Sequence, residues 1–249
     1  MKKLEETPNQ KSRHTFATAF RQFWQNMYRH ASQVPTCLFC AEVLAEGYIC
    51  LSCRAKLPTQ SPEFLTLCQN RARQNGLVAF QGLWHLFDYQ KQSRVQGILH
   101  EIKYKNNPRL AQEMGRWLGH LLQETNQKWD LLLPVPLHAQ KLRQRGYNQS
   151  EEIAKGVAEV LAIPLGRDML QRKTHGESQT NKNALQRFLH VKNSFACTAE
   201  ITAKHVLLID DVFTTGSTLE ALALCVLQKN PHLQLSVATL ARAGKLNAF

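Results

Sequence analysis

The sequence has no apolar run long enough to cross a membrane. Its longest uninterrupted apolar stretch near the C-terminus covers residues 221–227, whereas a spanning helix needs about 20 such residues. At the other end, Met1-Lys2-Lys3 leads into Glu5, Glu6 and a polar run, unlike the apolar segment and small-residue cleavage site of a secretory signal. We therefore expect no transmembrane segment, no secretory signal and a cytoplasmic location.

Acidic residues are also scarce. Lysine and arginine together number 31, against 19 aspartates and glutamates, so the formal net charge is +12 and the sequence pI is about 9.5. The hydrophobic share of 43% and the charged share of 20% are ordinary for a globular chain, which excludes wholesale disorder, collagen-like repeats and a heptad rod. A basic surface attracts polyanions such as nucleic acids and organic phosphates, although composition alone equally allows a charge that serves only solubility.

The cysteines indicate a metal site. Four of the seven cysteines form two C-x-x-C pairs, Cys37 with Cys40 and Cys50 with Cys53, and nine residues separate the pairs. This spacing lets a tight turn direct two thiolates at one ion, and two such pairs complete the tetrahedral four-sulfur shell of structural zinc. Disulfides are the alternative, but a reducing compartment favours metal thiolates. We predict a compact zinc ribbon whose closed site serves docking or scaffolding and not hydrolysis.

Apolar patterns predict alternating strands and helices. Short apolar runs at residues 131–135, 206–209 and 235–240 are typical of buried parallel strands. Residues 76–89, rich in aromatic and β-branched side chains, predict a hairpin or two short strands. Helical spacing of apolar residues recurs at 95–102, 110–122, 153–161 and 219–227. The alternation favours an open, mostly parallel α/β sheet with helices on both faces.

The chain is expected to have three parts. Residues 1–34 form an N-terminal extension with an amphipathic helix at residues 16–28, whose aromatic stripe covers a core by default and docks on a membrane or partner in the alternative interpretation. Residues 35–57 form the four-cysteine module. Residues 56–62, which contain Pro58 and Pro62, have the composition of a linker, and the main domain follows at 63–249.

The most informative segment joins an apolar strand to a hydroxyl-rich turn. Residues 206–209 are apolar, Asp210 and Asp211 follow at the carboxyl end, and residues 214–218 read Thr-Thr-Gly-Ser-Thr. In an open α/β sheet, ligands bind at the carboxyl ends of strands. Backbone N–H groups and hydroxyls of such a turn can hold one phosphate at a helix N-terminus. Adjacent carboxylates repel phosphate but accept hydrogen bonds from ribose hydroxyls, so the segment predicts a sugar-phosphate site.

Two bland interpretations compete with this one. The aspartates can serve only as helix caps, since Asp, Ser and Thr favour such positions, but a cap needs one residue and this segment supplies many polar ones. A generic mononucleotide or dinucleotide loop is the other alternative. Neither G-x-x-x-x-G-K-[ST] nor G-x-G-x-x-G occurs anywhere in the chain.

Residues 206–218 resemble the phosphoribosyl pyrophosphate (PRPP) signature of type I phosphoribosyltransferases: an apolar run, an acid pair, then T-T-G-[ST]-T. The resemblance implies that Asp210 and Asp211 hold the ribose 2′- and 3′-hydroxyls and that PRPP binds together with Mg²⁺. It also implies that the 5′-phosphate is bound by five residues of the turn: Thr214, Thr215, Gly216, Ser217 and Thr218.

The wider sequence resembles the ComF/GntX family of competence-associated phosphoribosyltransferase-like proteins. The cysteine pairs, Pro134-Val135-Pro136-Leu137, the polar run at 145–149, and residues 172–179 and 187–193 carry this resemblance, which extends over about residues 35–242. It implies that the loop beginning at Pro136, with Arg145 nearby, binds the diphosphate. The basic segment 171–195 would then close over PRPP, with Arg172 and Lys173 as catalytic candidates. An exposed linker is the alternative for that segment.

The resemblance leaves three functions open. The first is a PRPP-binding protein of natural competence that supports uptake or processing of transforming DNA, with single-stranded DNA and DNA-uptake or helicase proteins as partners. The second is a phosphoribosyltransferase of nucleobase salvage or purine metabolism, in which a nitrogen nucleophile attacks C1 of PRPP. The third is a regulator that binds PRPP or nucleotide without turnover. The sequence contains no recognisable acceptor pocket, so it leaves turnover undecided.

Overall fold

A computed structural model of the protein describes residues 35–58, 78, 80–173 and 194–243. The amphipathic helix expected at residues 16–28 and most of the basic segment 171–195 lie outside these residues. In chain order the elements are α1 (Leu51–Arg54), β1 (Leu83–Tyr89), α2 (Arg94–Tyr104), α3 (Pro108–Gln123), β2 (Leu131–Pro134), α4 (Ala139–Arg145), α5 (Gln149–Leu161), β3 (Leu170–Arg172), β4 (Phe195–Cys197), β5 (His205–Phe213), α6 (Ser217–Lys229) and β6 (Gln234–Ala243).

The chain divides into two compact units between Ala55 and Lys56. In the first unit, an isolated antiparallel bridge joins Thr36 to Val43, and the single turn of α1 follows Cys50. The predicted limits of the cysteine module and of the main domain, 35–57 and 63–249, stay predictions.

The second unit is built on a four-stranded parallel sheet with the strand order β1-β6-β5-β2. The apolar runs in β2 and β5 are fully buried, and Leu133 of β2 lies in register with Leu208 of β5. Strands of a parallel sheet are covered on both faces, so their sequences are continuous apolar runs without alternation. The predicted fold class is confirmed.

Helices cover both faces of this sheet. The helix α6 packs on one face, and α2, α3 and α5 pack on the other. The helices α3 and α5 approach each other through glycines, because a Cβ at Gly156 would lie 2.0 Å from the carbonyl oxygen of Gln112 and one at Gly115 would lie 2.1 Å from that of Ile153. The core between α6 and the sheet includes Leu131, Leu133, Val206, Leu208, Leu222, Val226, Leu235 and Val237.

Local signals explain where the first two helices of the sheet unit begin. The hydroxyl of Ser93 accepts a hydrogen bond from the N–H of Gln96 at the start of α2. The amide oxygen of Asn107 accepts one from the N–H of Leu110, and Pro108 occupies the first position of α3. Both are common N-terminal caps, and proline is favoured at the first helical position because its missing N–H would have no partner there.

The structure differs from the sequence-based expectation in three places. Within the described part of 76–89 there is one strand, β1, which lies at an edge of the sheet and pairs in parallel with β6. The prediction of a hairpin or two short strands was wrong there, because the aromatic residues of β1 are buried against the parallel sheet and do not pair within a local hairpin. The short antiparallel pair of β3 and β4 was not expected. The loop predicted to begin at Pro136 is short and leads into α4 at Ala139, where the imidazole of His138 caps the helix.

Across the described residues, no helix combines the length and the apolar composition that a membrane span requires.

Candidate functional site

The strand β5 brings the acid pair to the carboxyl edge of the sheet. Asp210 and Asp211 lie near its end, and α6 begins four residues after Phe213, the last residue of the strand. Asp210 lies in register with Thr239 of β6, and Thr239 in turn with His85 of β1. The acid pair is therefore on the edge of the sheet where ligands of open α/β folds bind.

Each carboxylate has one oxygen that bonds to a group of the described residues. The Oδ1 atom of Asp210 accepts hydrogen bonds from the Ser150 hydroxyl at 2.8 Å and from the backbone N–H of Asp211 at 2.9 Å. The Oδ2 atom of Asp211 lies 3.0 Å from the Nζ atom of Lys103. Among the described residues, the remaining oxygen of each carboxylate has no hydrogen-bond or ion-pair partner. Two acceptors are thus available to a ligand that donates hydrogen bonds.

The environment of the pair favours a proton on Asp210. Burial raises the pKa of the Asp210 carboxyl to about 7, and repulsion by the neighbouring charge of Asp211 acts in the same direction. The hydrogen bonds from Ser150 and from the Asp211 N–H, and the charge of Lys103, lower this pKa. At neutral pH the Asp210 carboxyl therefore exchanges between its protonated and ionised forms.

The turn after β5 has the geometry of an anion site. Gly216 has φ = +83°, a backbone conformation that favours glycine, and a Cβ at this position would lie in tight contact with the Phe213 ring at 3.1 Å. Gly216 precedes α6 and has no side chain to cap it, and the Thr215 hydroxyl accepts a hydrogen bond from the Ser217 N–H at 3.5 Å. The N–H groups at the positive end of α6 can therefore bind an external acceptor. Thr214, Thr215 and Ser217 are exposed there, and the hydroxyls of Thr215 and Ser217 lie 3.0 Å apart.

The polar run at 145–149 builds the turn between α4 and α5. Gly146 has φ = +79° and ends α4, and Asn148 caps α5 while its amide donates to the carbonyl of Val135 at 3.0 Å. The Tyr147 hydroxyl donates to the carbonyl of Ile102. Much of this run therefore has a structural role that the sequence analysis did not assign to it.

Arg145 lies at the end of α4, the helix that follows the loop after β2. Its guanidinium donates to the amide oxygen of Gln149 at 2.8 Å and lies 5.5 Å from the centre of the Tyr104 ring. Pro136 stands at the start of the same loop, partly buried. The predicted roles of Pro136 and Arg145 in diphosphate binding stay predictions.

The structure does not bring Arg172 and Lys173 to the acid pair. The guanidinium of Arg172 lies 5.4 Å from the centre of the Phe195 ring. Lys173 lines a cavity of about 410 Å³ together with Cys225, Gln228 and Lys229 of α6. Those residues follow the start of α6 by 8 to 12 positions, or roughly 12 to 18 Å along the helix at 1.5 Å per residue. The catalytic role predicted for both residues stays a prediction.

Sequence analysis missed two residues that hold the acid pair. Ser150 lies in the first turn of α5 and Lys103 near the end of α2, so neither belongs to the motif that they contact. The only available signal was local: Lys103 follows the buried helical residue Ile102, and Ser150 follows the cap residue Asn148. Neither pattern indicates a partner 60 or more residues away.

A second polar cluster at the same edge was also missed. The Nε2 atom of His85, fully buried, lies 3.0 Å from the Asp88 carboxylate, and Arg242 lies 3.1 Å from the same oxygen. Burial lowers the pKa of His85, against the opposing effect of Asp88. These side chains join the carboxyl ends of β1 and β6.

The four paired cysteines converge in the first unit. Their Sγ atoms all lie within 4.8 Å of one another, and those of Cys40 and Cys50 are 3.6 Å apart. In a tetrahedral shell with Zn–S bonds of about 2.3 Å, neighbouring sulfurs are about 3.8 Å apart. The cluster can therefore hold a metal ion, and its donor set and spacing fit the predicted zinc.

Hydrogen bonds prepare one of these thiols for ionisation. Burial raises the pKa of Cys37, but backbone N–H groups of Cys50, Phe39 and Cys40 outweigh it and bring the pKa down to about 6. Burial and the neighbouring thiols raise the pKa of Cys53 to about 12. In the absence of a cation, four close thiols cannot ionise together, because each negative charge opposes the next.

Residues 102–247 match the family model described as the phosphoribosyl transferase domain. The match includes both acids, the turn after β5, Lys103 and Ser150. It does not include the cysteine module, which precedes it.

Curated relatives carry names from competence and DNA utilisation. The chain is 29% identical to Competence protein F of Haemophilus influenzae over 59% of its length and 67% of the relative. It is 26% identical to the DNA utilization protein YhgH of Salmonella typhimurium over 53% of this chain and 60% of the relative. It is 31% identical to Competence protein ComFC of Bacillus subtilis over 45% of each chain. The first two alignments thus span about three fifths to two thirds of these relatives.

Solved structures resemble the chain at low identity. The allosteric regulatory enzyme of purine biosynthesis is 16% identical, with a TM-score of 0.40 over 57% of this chain and 29% of the enzyme.

The Ser150→Ala variant is expected to raise the pKa of Asp210 above its value of about 7, because the hydroxyl bond stabilises the ionised carboxylate. The measurement is a pH titration of the aspartate side-chain carboxyl carbons by NMR. The matched control is Ser217→Ala, since the Ser217 hydroxyl contacts Thr215 and not the acids. A pKa of Asp210 that is unchanged or lower in Ser150→Ala would contradict the expectation.

Proposed function

The chain belongs to the phosphoribosyl transferase domain family, and its curated relatives make it a ComF-type member; from this membership we propose that it is a PRPP-binding protein acting in natural competence. The observation that carries the proposal is a pair of carboxylate oxygens that have no partner among the described residues and that lie near the turn at the N-terminus of α6. A pentose with vicinal hydroxyls and a 5′-phosphate complements these two features.

In the proposed complex, each group of the ligand meets one part of the site. Asp210 and Asp211 accept hydrogen bonds from the ribose hydroxyls. The 5′-phosphate lies against the turn formed by Thr214, Thr215, Gly216, Ser217 and Thr218. The diphosphate, bound as its Mg²⁺ complex, points toward the loop that begins at Pro136. Lys103 and Asp211 are 108 residues apart in the sequence but lie 3.0 Å apart in the structure. The site therefore exists only in the folded chain.

Turnover requires a nitrogen nucleophile that attacks C1 while the bond to the diphosphate breaks. The transition state then has oxocarbenium character at C1, and negative charge accumulates on the leaving diphosphate. Positioning and electrostatics supply most of the acceleration in such a reaction, so no dedicated protein nucleophile is needed. Diphosphate release in the presence of one nucleobase from a panel would assign the chain to salvage, whereas PRPP binding without release supports a binding function.

We also propose that single-stranded DNA is a partner, in line with the names of the relatives in competence and DNA utilisation. Residues 131–150 contain no acidic residue. Within them, α4 has no buried residue and exposes Lys141 and Arg143, which form no ion pair with the acids of the described residues. The ring of Tyr104 lies under the guanidinium of Arg145, the last residue of α4, and Tyr104 is 66% exposed. Cations beside an exposed aromatic ring suit phosphates and an unstacked base.

For the first unit we propose structural zinc. Cys37, Cys40, Cys50 and Cys53 would hold the ion, which stabilises the small fold because all four coordination positions are taken by protein. Reduced thiols fit a reducing compartment such as the cytoplasm.

The double variant Asp210→Asn, Asp211→Asn is expected to weaken binding of Mg²⁺–PRPP about 100-fold or more, because two hydrogen bonds to charged acceptors are lost. Isothermal calorimetry measures the affinity, and thermal unfolding verifies the fold. Asp130→Asn is the matched control, since Asp130 accepts from the backbone N–H groups of Lys204 and His205 at the opposite edge of the sheet. Unchanged affinity in the double variant would refute the ribose role.

Cys37→Ser is expected to lose the zinc that wild-type protein contains at about one ion per chain. The metal content is measured by atomic emission after purification without chelators. The control is Cys225→Ser, which removes a partly buried cysteine of α6 outside the cluster and should leave zinc unchanged. Wild-type protein without zinc would overturn the assignment.

Affinity for a single-stranded oligonucleotide is expected to fall steeply with salt, and Lys141→Gln with Arg143→Gln should flatten that dependence. If each side chain neutralises one phosphate, the slope of log affinity against log salt falls by roughly 1.4. The control pair is Lys128→Gln with Lys204→Gln, which are also exposed but precede β2 and β5 at the other edge. Weak binding that does not respond to salt would argue against DNA as a partner.

A further inference from the structure

The last turn of α2 connects the acid pair to the loop after β2. Lys103 contacts Asp211, the carbonyl of Ile102 accepts from the Tyr147 hydroxyl, and the ring of Tyr104 lies under Arg145. Three consecutive residues of one helix thus touch both sides of the candidate site. This turn therefore contacts both Asp211, which is assigned to the proposed ribose subsite, and Arg145, which is assigned to the proposed diphosphate subsite.

The ammonium of Lys103 has bonding capacity to spare. Its side chain is 22% exposed and that of Asp211 is 16% exposed, so the pair borders solvent and is not sealed in the core. Of the three N–H donors of an ammonium, the contact with Asp211 engages one, and no other acceptor among the described residues is bonded to Lys103. A ligand entering beside Asp211 therefore meets a cation with free donors.

PRPP carries negative charge that would lie close to the acid pair. In a pentose, the hydroxyl at C2 neighbours C1, which carries the diphosphate. A carboxylate that holds the hydroxyls is therefore close to several negative charges and repels them. In the proposed complex Mg²⁺ offsets part of this repulsion, and a protein cation between the two groups offsets more. Lys103 is the cation in direct contact with the acid pair, and its flexible four-carbon stem lets the ammonium shift by a few ångströms.

We propose that Lys103 binds the diphosphate of PRPP, sharing its ammonium between Asp211 and the oxygens at C1. The inference rests on the proposed function and adds to it a residue outside the PRPP signature. The competing explanation is that the ion pair only anchors α2 to β5 and orients Asp211. In that case the loss of Lys103 weakens every ligand that uses Asp211, whether or not the ligand carries a diphosphate.

The test compares two probes that differ only at C1, PRPP and ribose 5-phosphate, each titrated with Mg²⁺ into the full chain by calorimetry. Lys103→Gln is expected to weaken PRPP binding tenfold or more, because a charge-assisted contact to phosphate is lost, and to change ribose 5-phosphate affinity less than threefold. Lys103→Arg should retain most of the PRPP affinity, since it keeps the charge. Lys105→Gln is the control, because this exposed lysine lies two residues further along.

The outcomes separate the competing explanations. An equal loss for both ligands in Lys103→Gln would mean that Lys103 positions Asp211, and it would overturn the inference. So would unchanged affinity for both ligands. If Lys103→Gln is unstable, Lys103→Met takes its place under the same criteria, since it keeps an unbranched apolar side chain and removes the charge. Wild-type protein that binds neither ligand would remove the proposed function and this inference with it.

Discussion

The site depends on keeping two adjacent carboxyls at the end of a buried strand. Water no longer stabilises the charge of Asp210 there, and the charge of Asp211 makes ionisation harder still. The fold counters both effects with a hydroxyl from α5, a backbone N–H and an ammonium from α2. Each of these groups uses one carboxylate oxygen, so the carboxylates are held in place while their other oxygens stay available.

This requirement explains why three helices on one face of the sheet approach so closely. Ser150 and Lys103 reach the acids only if α5 and α2 are fixed relative to β5. The glycine contacts between α3 and α5 leave no room for even a methyl group, and the Tyr147 hydroxyl ties the start of α5 to α2. Tight packing at a distance from the ligand therefore sets the positions of the groups that touch it.

The cysteine unit differs from the sheet domain in what can stabilise it. The described residues of this unit, 35–55, can bury little apolar surface by themselves, and their four cysteine sulfurs lie within 4.8 Å of one another. The hydrogen bonds that lower the pKa of Cys37 favour the thiolate form that a metal ion requires. The sheet domain is stabilised by burial, whereas the cysteine unit has the donor set for stabilisation by a metal ion.

The sequence by itself determined the elements whose signals are local. Apolar runs predicted β2, β5 and β6, and helical spacing predicted α2, α3, α5 and α6. The cysteine spacing identified the candidate metal site, and the acid pair with its turn identified the candidate ligand site. Each of these patterns lies within a few neighbouring residues. Only the tertiary structure decided that β1 joins β6 in parallel, that 145–149 is a capping turn, and that Lys103 and Ser150 hold the acids. The partners that hold the acids lie far away along the chain, 60 residues for Ser150 and Asp210 and 108 for Lys103 and Asp211. Such contacts arise from packing that no local pattern encodes.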